Sequence, residues 1–286
     1  MIPAAEKGID KAWSGEVVGN ARLCHEHYCL TLGVATFAPA VPGQFVHVGP
    51  HIGSGRRAGQ SNDDDGPAAT TLQPFLRRAF SLAGARQCGK SAELDIIYRV
   101  VGAGTRWLAG LSRGDGIAGI GPLGQGFTLP PRRTVCWLVA GGVGLPPLQW
   151  LARELVRRGH PVVLFLGARN SQAIPIDFRG RVDGFTADAL GEAALKIATD
   201  DGSVGFAGNV VEALVDHADS QPVDAGRAWV YTCGPEVMMA AVARFCAARK
   251  LPGFACMERA MACGVGTCQS CGVTVRDDAD PGGWRY

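Results

Sequence analysis

Residues 134–152 read TVCWLVAGGVGLPPLQWLA, nineteen residues without a charge. Length alone fits a membrane span of about 20 residues. Gly141, Gly142, Gly144, Pro146 and Pro147 sit at its middle, however, where a lipid-exposed helix could not keep its hydrogen bonds. The stretch reads instead as a strand, a turn and a helix. VCWLVA is a short apolar run suited to a buried parallel strand. Leu145, Leu148, Leu151 and Leu155 then follow at helical spacing, with Gly159 as a stop.

Downstream the same grammar repeats. PVVLFLG is a strand, SVGFAG leads into helical NVVEALVDHA, AWVYTCG is a strand, and PEVMMAAVARFCAARK is a helix opened by Pro235 as a first-turn residue. This alternation predicts an α/β domain with a parallel sheet over 131–252. Upstream the text is different. SGEVVG, YCLTLGV, GQFVHVG, RAFSLAG, LDIIYRVVG and DGIAGIG are short β-capable segments separated by turn residues, which predicts an antiparallel β-barrel over 10–130. Within it, 50–75 is polar, rich in Gly, Ser and Ala, and reads as a long mobile surface insertion. A short cysteine-rich segment occupies 253–286.

Composition agrees with a packed protein. Glycine supplies 40 of 286 residues, twice its usual share of roughly 7%, without a three-residue period, so it serves turns and close backbone approaches. Hydrophobic residues make up 47%, enough for a sizeable core. The net charge of +2 and the scattered pairs Arg56-Arg57, Arg132-Arg133 and Arg157-Arg158 argue against a nucleic-acid binder. The N-terminal MIPAAEKGIDKAW carries early charges and no apolar core, so no signal peptide is expected. The protein reads as soluble and cytoplasmic, with reduced thiols.

Three of the ten cysteines crowd together as Cys263-Gly-Val-Gly-Thr-Cys268-Gln-Ser-Cys271. C-x4-C-x2-C is the plant-type spacing for a [2Fe–2S] cluster, which takes four thiolates. Gly264 and Gly266 let a loop fold closely around sulfide. Zinc is the chemical rival, and three buried structural cysteines the bland alternative. No cysteine follows Cys271, so the fourth ligand is Cys256 or lies past Tyr286, and the sequence is expected to be truncated there.

Gly141, Gly142 and Gly144 suit a pyrophosphate approaching a helix N-terminus, although Pro147 stands where the dinucleotide fingerprint has its third glycine and Gly167-Ala168-Arg169 replaces the usual acidic strand end. Tyr231-Thr232-Cys233-Gly234-Pro235 repeats the logic at a later strand end, with Cys233 expected to face the same crevice. Arg78-Ala79-Phe80-Ser81 and Gly102-Ala103-Gly104-Thr105 combine charge or glycine with a hydroxyl, as a pyrophosphate requires. A plain βα turn and a solvated strand edge are the ordinary alternatives for these. Cys24-His25-Glu26-His27-Tyr28-Cys29 looks like a metal site, yet strand alternation would put Cys24 with Glu26 and Tyr28, and His25 with His27 and Cys29; an ordinary hairpin is expected.

LRRAFSLAG, IIYRVVGAGTRWLAGL, GIGPLGQGF, VAGGVGLPPL, YTCGPEVMM and ERAMACGVGTCQSCGV, in this order, resemble the ferredoxin–NADP reductase superfamily, and within it the electron transfer subunits of NAD-dependent dihydroorotate dehydrogenases. The likeness runs from Ser14 to Trp284. It implies FAD in the barrel, held by Arg78, Ala79, Phe80 and Ser81, by Ile97, Tyr98 and Arg99, and by Gly104 and Thr105. Ala79 departs from the proline more usual there. It implies NAD at Gly141, Gly142, Gly144 and Pro146 and at Cys233, Gly234, Pro235 and Glu236, and a [2Fe–2S] cluster on Cys263, Cys268 and Cys271. A nicotinamide exchanges two electrons at once and a cluster carries one, so the flavin stands between them. The implied partner is an FMN-containing catalytic subunit that oxidises dihydroorotate to orotate in pyrimidine (UMP) biosynthesis, in a heterotetramer of two of each. No residue stands out as an acid or base. A same-fold subunit serving sulfide, glutamate synthase or ferredoxin chemistry, and a zinc-stabilised non-redox scaffold, are the alternative functions. Arg169 leaves NAD against NADP open, with NAD expected.

Overall fold

Alternating apolar side chains close the first six strands into a barrel. The computed structural model describes residues 11–50, 76–131, 133–181, 184–223, 227–276 and 284–285. The insertion expected over 50–75 lies, from residue 51 on, outside the described residues. Strands β1 (Ala12–Arg22), β2 (His27–Val34), β3 (Phe45–Pro50), β4 (Arg78–Cys88) and β5 (Ser91–Arg99) precede a short helix α1 (Ala103–Ala109) and strand β6 (Gly116–Leu123). The barrel runs in the order β1-β2-β5-β4-β3-β6. Leu30, Leu32, Val46, Val48, Leu94 and Ile96 fill its interior. All six β-capable segments are strands of this barrel, whereas α1 had no periodic signal and was not expected.

The second unit is the α/β layer. Its elements are β7 (Val135–Gly141), α2 (Leu145–Arg157), β8 (Val162–Ala168), β9 (Arg179–Arg181), β10 (Gly184–Thr186), β11 (Ala194–Thr199), β12 (Phe206–Ala207), α3 (Val210–Ser220), β13 (Ala228–Cys233), α4 (Glu236–Arg249) and β14 (Gly253–Cys256). The sheet order is β14-β13-β7-β8-β11-β10-β9, with β12 beside β11. Strands β14, β13, β7, β8 and β11 are mutually parallel. A last pair, β15 (Val275–Arg276) and β16 (Trp284–Arg285), is antiparallel.

The alternation within β7 divides the two faces. Leu138 and Ala140 pack with Leu145, Leu148, Leu151 and Leu155 of α2. Trp137 and Val139 pack on the other side with Leu214 of α3 and Phe245 of α4. The four leucines read from the helical spacing are all fully buried. Pro235 caps α4 with extended backbone (φ −54°, ψ 138°) rather than occupying its first turn, as the sequence suggested. Strand β11 was not foreseen; Lys196 interrupts its short apolar run.

Two glycine turns interlock behind the sheet's carboxyl ends. A β-carbon on Gly144 would lie 2.0 Å from the Cys233 carbonyl oxygen, and one on Gly141 2.8 Å from Pro235 Cδ. Gly234 has φ +147°, and a β-carbon there would meet the Gly141 backbone at 2.9 Å. The β7–α2 and β13–α4 turns therefore touch backbone to backbone. Gly144→Ala should cost about 1–3 kcal/mol by forcing these turns apart; urea unfolding of variant and parent measures it, and an unchanged midpoint would show that the turns separate freely.

Candidate functional site

Strand β7 has β13 on one side and β8 on the other, so the chain switches direction there and leaves a crevice at the strands' carboxyl ends. The crevice encloses about 820 Å³. Gly142, Gly234, Arg169 and Asn209 of the α/β unit line it together with Glu26 and Arg99 of the barrel. Both units thus contribute to one cleft.

Its electrostatics centre on Glu26. The carboxylate accepts a hydrogen bond from Arg99 Nε at 2.6 Å, and Arg169 Nη2 lies 3.6 Å away. The Arg99 hydrogen bond, more than the nearby charges, holds Glu26 below the usual carboxylate range. Glu26 thereby ties the strand end after β8 to the barrel. Arg169, which the sequence left as a candidate 2′-phosphate reader, has its charge directed at this carboxylate.

Gly141, Gly142, Gly234, Pro235 and Glu236 line the crevice. Three other expected residues do not. Cys233 is only 1% exposed and belongs to the core beneath α2. Its thiol hydrogen-bonds Cys256, the residue directly opposite on β14, and this contact together with burial pushes Cys233 upward. The expectation that Cys233 faces the crevice is corrected: alternation along β13 turns it into the core. Gly144 and Pro146 are likewise buried behind the turn, where they shape it from beneath.

On the barrel, Arg78 and the Gly102–Thr105 motif do meet. The Arg78 side chain occupies the space a β-carbon on Gly104 would need, with Nε 2.0 Å from that position. Arg78 Nη1 donates to the Leu76 carbonyl at 2.7 Å. Thr105 Oγ1 accepts from the backbone N–H groups of Val101 (2.9 Å) and Gly102 (3.1 Å), which fixes the loop. Phe80 stands edge-on to Tyr98, with ring centroids 6.1 Å apart. Tyr98 itself is in the barrel core, stacked on Tyr28, and its hydroxyl donates to Asn20 Oδ1 at 3.2 Å. Burial raises its pKa. Tyr98 therefore supports Phe80 from inside the barrel and does not offer a free face, whereas Arg99 reaches the crevice.

In the cysteine segment, the Cys268 N–H points to Cys263 Sγ at 3.5 Å, and Cys268 Sγ is 3.2 Å from Ser270 Oγ. Hydrogen bonds from Ser270, then from Cys263, lower Cys268 to about 6. Gly264 and Gly266 have φ +71° and +81°, the left-handed backbone that glycine permits. Cys263 and Cys268 are brought together, but Cys271 does not complete a triad: among the described residues no three His, Cys, Asp or Glu side chains converge as metal ligands. Cys256, the upstream candidate for a fourth ligand, is engaged with Cys233 instead. The donor chemistry still fits the cluster implied by the spacing, since the thiols are accompanied by a loop whose glycines turn its backbone tightly.

The decoy at 24–29 is a hairpin, with Arg22 paired to Tyr28. Its turn breaks strict alternation and brings Cys24 Sγ to 3.2 Å from His27 Nδ1. Two residues went unread as site residues in the sequence. Glu26 was seen only as part of the decoy, and His47 only as one polar letter in a strand. His47 is 1% exposed on β3, and burial, with the Arg77 charge second, lowers its pKa.

Comparison with known proteins places this geometry. Residues 138–244 match the family model described as an oxidoreductase NAD-binding domain. The dihydroorotate dehydrogenase B (NAD(+)) electron transfer subunit of Desulforamulus reducens is 38% identical over 236 residues, covering 82% of this chain and 78% of the relative. The chain belongs to this family of electron transfer subunits. The subunit of the same description from Bacillus caldolyticus is 37% identical, over 89% of this chain and 86% of its own. Among solved structures, an NADH-dependent reduced ferredoxin-NADP oxidoreductase aligns with a TM-score of 0.68 at 22% identity, over 98% of this chain and 86% of its own. The ferredoxin reductase of carbazole 1,9a-dioxygenase aligns at 0.64, with 22% identity over 84% and 66%. These share the barrel-plus-parallel-sheet fold. The family makes the chain an oxidoreductase component that delivers electrons to or from a catalytic subunit. Among the described residues, no helix is long and apolar enough to cross a membrane.

The Glu26 link carries a pH dependence. Its folded pKa lies below the ordinary 4.5, so its contribution is fully present above that value and is lost as the pH falls through the lowered one. Glu26→Gln should therefore be less stable than the parent in urea at pH 7, and the difference should shrink as the pH falls below the ordinary carboxylate range. A difference that persists in acid would assign the effect to packing.

Proposed function

We propose that this chain passes electrons between NAD and an FMN-containing catalytic subunit that oxidises dihydroorotate, by way of FAD in the barrel and a [2Fe–2S] cluster in the cysteine segment. The observation that carries the reading is the barrel's strand order. Adjacent strands β5, β4 and β3 bear, in turn, Arg99 at the nucleotide crevice, the Arg78–Ser81 motif, and His47 with Phe45 beside it. Gly264 of the cysteine loop packs on His47 and on Leu123 of β6. Neighbouring strands lie about 4.8 Å apart. Crevice, flavin motif and cysteine loop thus succeed one another across three strands, in the order that electron counting demands. FAD supplies the exchange between a two-electron and a one-electron carrier.

The chain's own residues bind and orient. Arg78, seated on Gly104, is placed to meet a pyrophosphate, with Ala79, Phe80, Ser81, Ile97 and Thr105 shaping the flavin site around it. Gly141, Gly142 and Gly234 leave room for a dinucleotide backbone, beside Pro235 and Glu236. Cys263, Cys268 and Cys271 are three cluster ligands. The chain works in the cytoplasm, where thiols stay reduced, within an assembly of two electron transfer and two catalytic subunits.

Arg78→Ala removes a charge-assisted hydrogen bond worth about 1.5–3 kcal/mol, so flavin affinity should fall at least tenfold, as read by release of flavin on dilution. Retention as tight as in the parent would misplace the site. With an artificial electron acceptor, NADH should be preferred to NADPH, because Glu26 already occupies Arg169; a clear NADPH preference would reverse this assignment. Iron and labile sulfide per chain, assayed anaerobically, should fall sharply in Cys268→Ser and stay at parental levels in Cys256→Ser. Zinc in place of iron in the parent would overturn the electron-transfer role of the segment.

A further inference from the structure

His47 is buried, only 1% exposed, and one of its ring nitrogens, Nε2, has no hydrogen-bond partner among the described residues. Five other buried side chains share that condition, and of the six only His47 stands beside Gly264 of the cysteine segment. The space of a β-carbon on Gly264 lies 3.0 Å from Nε2 and 3.0 Å from Cε1. Leu123 Cδ1 closes the same space at 3.1 Å, and the Phe45 ring stands 5.8 Å from the imidazole. The surroundings are therefore tight and apolar on the barrel side, poor lodging for a water that needs two or more polar partners. Buried nitrogens of this kind are almost always hydrogen-bonded in native proteins. The loop residue against this ring edge is Gly264, next to Cys263 and with left-handed backbone.

Strand register explains why the ring points there. Val46 and Val48 face the barrel interior, so His47 between them faces out. It pairs with Ala79 of the flavin motif on β4 and with Ile120 on β6. One side chain thus stands next to the strand that carries the flavin motif and beneath the loop that carries the thiols.

We propose that His47 donates an Nε2–H hydrogen bond to a sulfur of the cluster held by the 263–271 loop, and that it is the positioning residue that seats this loop on the barrel beside the flavin. The inference rests on the cluster reading given above. Reduction adds negative charge to a cluster, and a donor aimed at its sulfur stabilises the reduced form more than the oxidised one, so the bond raises the potential.

The test uses the complex of this chain with its catalytic subunit, purified anaerobically, as parent, His47→Leu and His47→Gln. Iron, labile sulfide and flavin per chain are measured first, then the cluster's midpoint potential and electron-spin spectrum. His47→Leu should keep flavin and cluster while its one-electron reduction equilibrium falls about tenfold, which is about 59 mV downward. His47→Gln retains an N–H donor and should lie close to the parent. A fully loaded His47→Leu with the parental potential and spectrum overturns the inference and leaves the cluster reading standing. If His47→Leu loses the cluster, restored occupancy in His47→Gln supports the donor role, and equal loss in both overturns it. A parent without iron and labile sulfide overturns both readings together.

Discussion

Helix α2 is fixed at two places, and the ligand-binding parts of the molecule take their positions from both. At its start, the Gly144 turn lies against the backbone of Cys233, so the two strand ends that line the crevice form one unit. In its middle, Arg153 Nη2 donates to the Ala83 carbonyl at 2.7 Å, and Trp150 packs on the barrel core. Gly84 makes the second contact possible, since a β-carbon there would stand 2.8 Å from the guanidinium. Burial works against the charge of Arg153, while Asp95 favours it. A rigid helix spans the two contacts. The glycine turn at the crevice is thereby registered against β4, the strand that bears Arg78 to Ser81.

That registration gives the barrel more than a scaffolding role. Its strands β5, β4 and β3 each present a different functional feature, and the α/β unit and the cysteine segment approach from opposite sides of the middle one. Glu26 and Arg99 hold the first approach by charge, while His47 and Leu123 hold the second by burial. The first responds to salt and acid because its groups are exposed. The second does not depend on ionic strength in the same way, because its contacts are packed.

Periodicity made much of this legible. The six strand segments before residue 130, the four leucines of α2 and the glycine turn after β7 arise from alternation of two kinds, and the structure contains each of them. The parallel strand at 194–199 was hidden by Lys196 and by its shortness. The short helix at 103–109 spans barely two turns and leaves no periodic trace. Among site residues, Arg78 and Gly104 were legible as motifs, but their contact was not, because it depends on the closing of the barrel. Cys233 was misread because a strand end was taken to expose its last residue, when alternation turns that residue inward. Glu26 and His47 carry no local signal at all. Each acts across a boundary between units, and a single chain of letters does not record which units meet.

The cysteine segment is attached lightly. It leaves the sheet through β14, a four-residue strand at the sheet's edge, and returns to the barrel where Gly264 meets His47. The six barrel strands and both anchoring contacts of α2 are built entirely from residues before Cys256. In evolutionary terms such a segment is a replaceable plug. Substitutions there can change the surface this segment offers without disturbing the interior, so freedom to vary is concentrated in a part joined to a body locked by backbone contact.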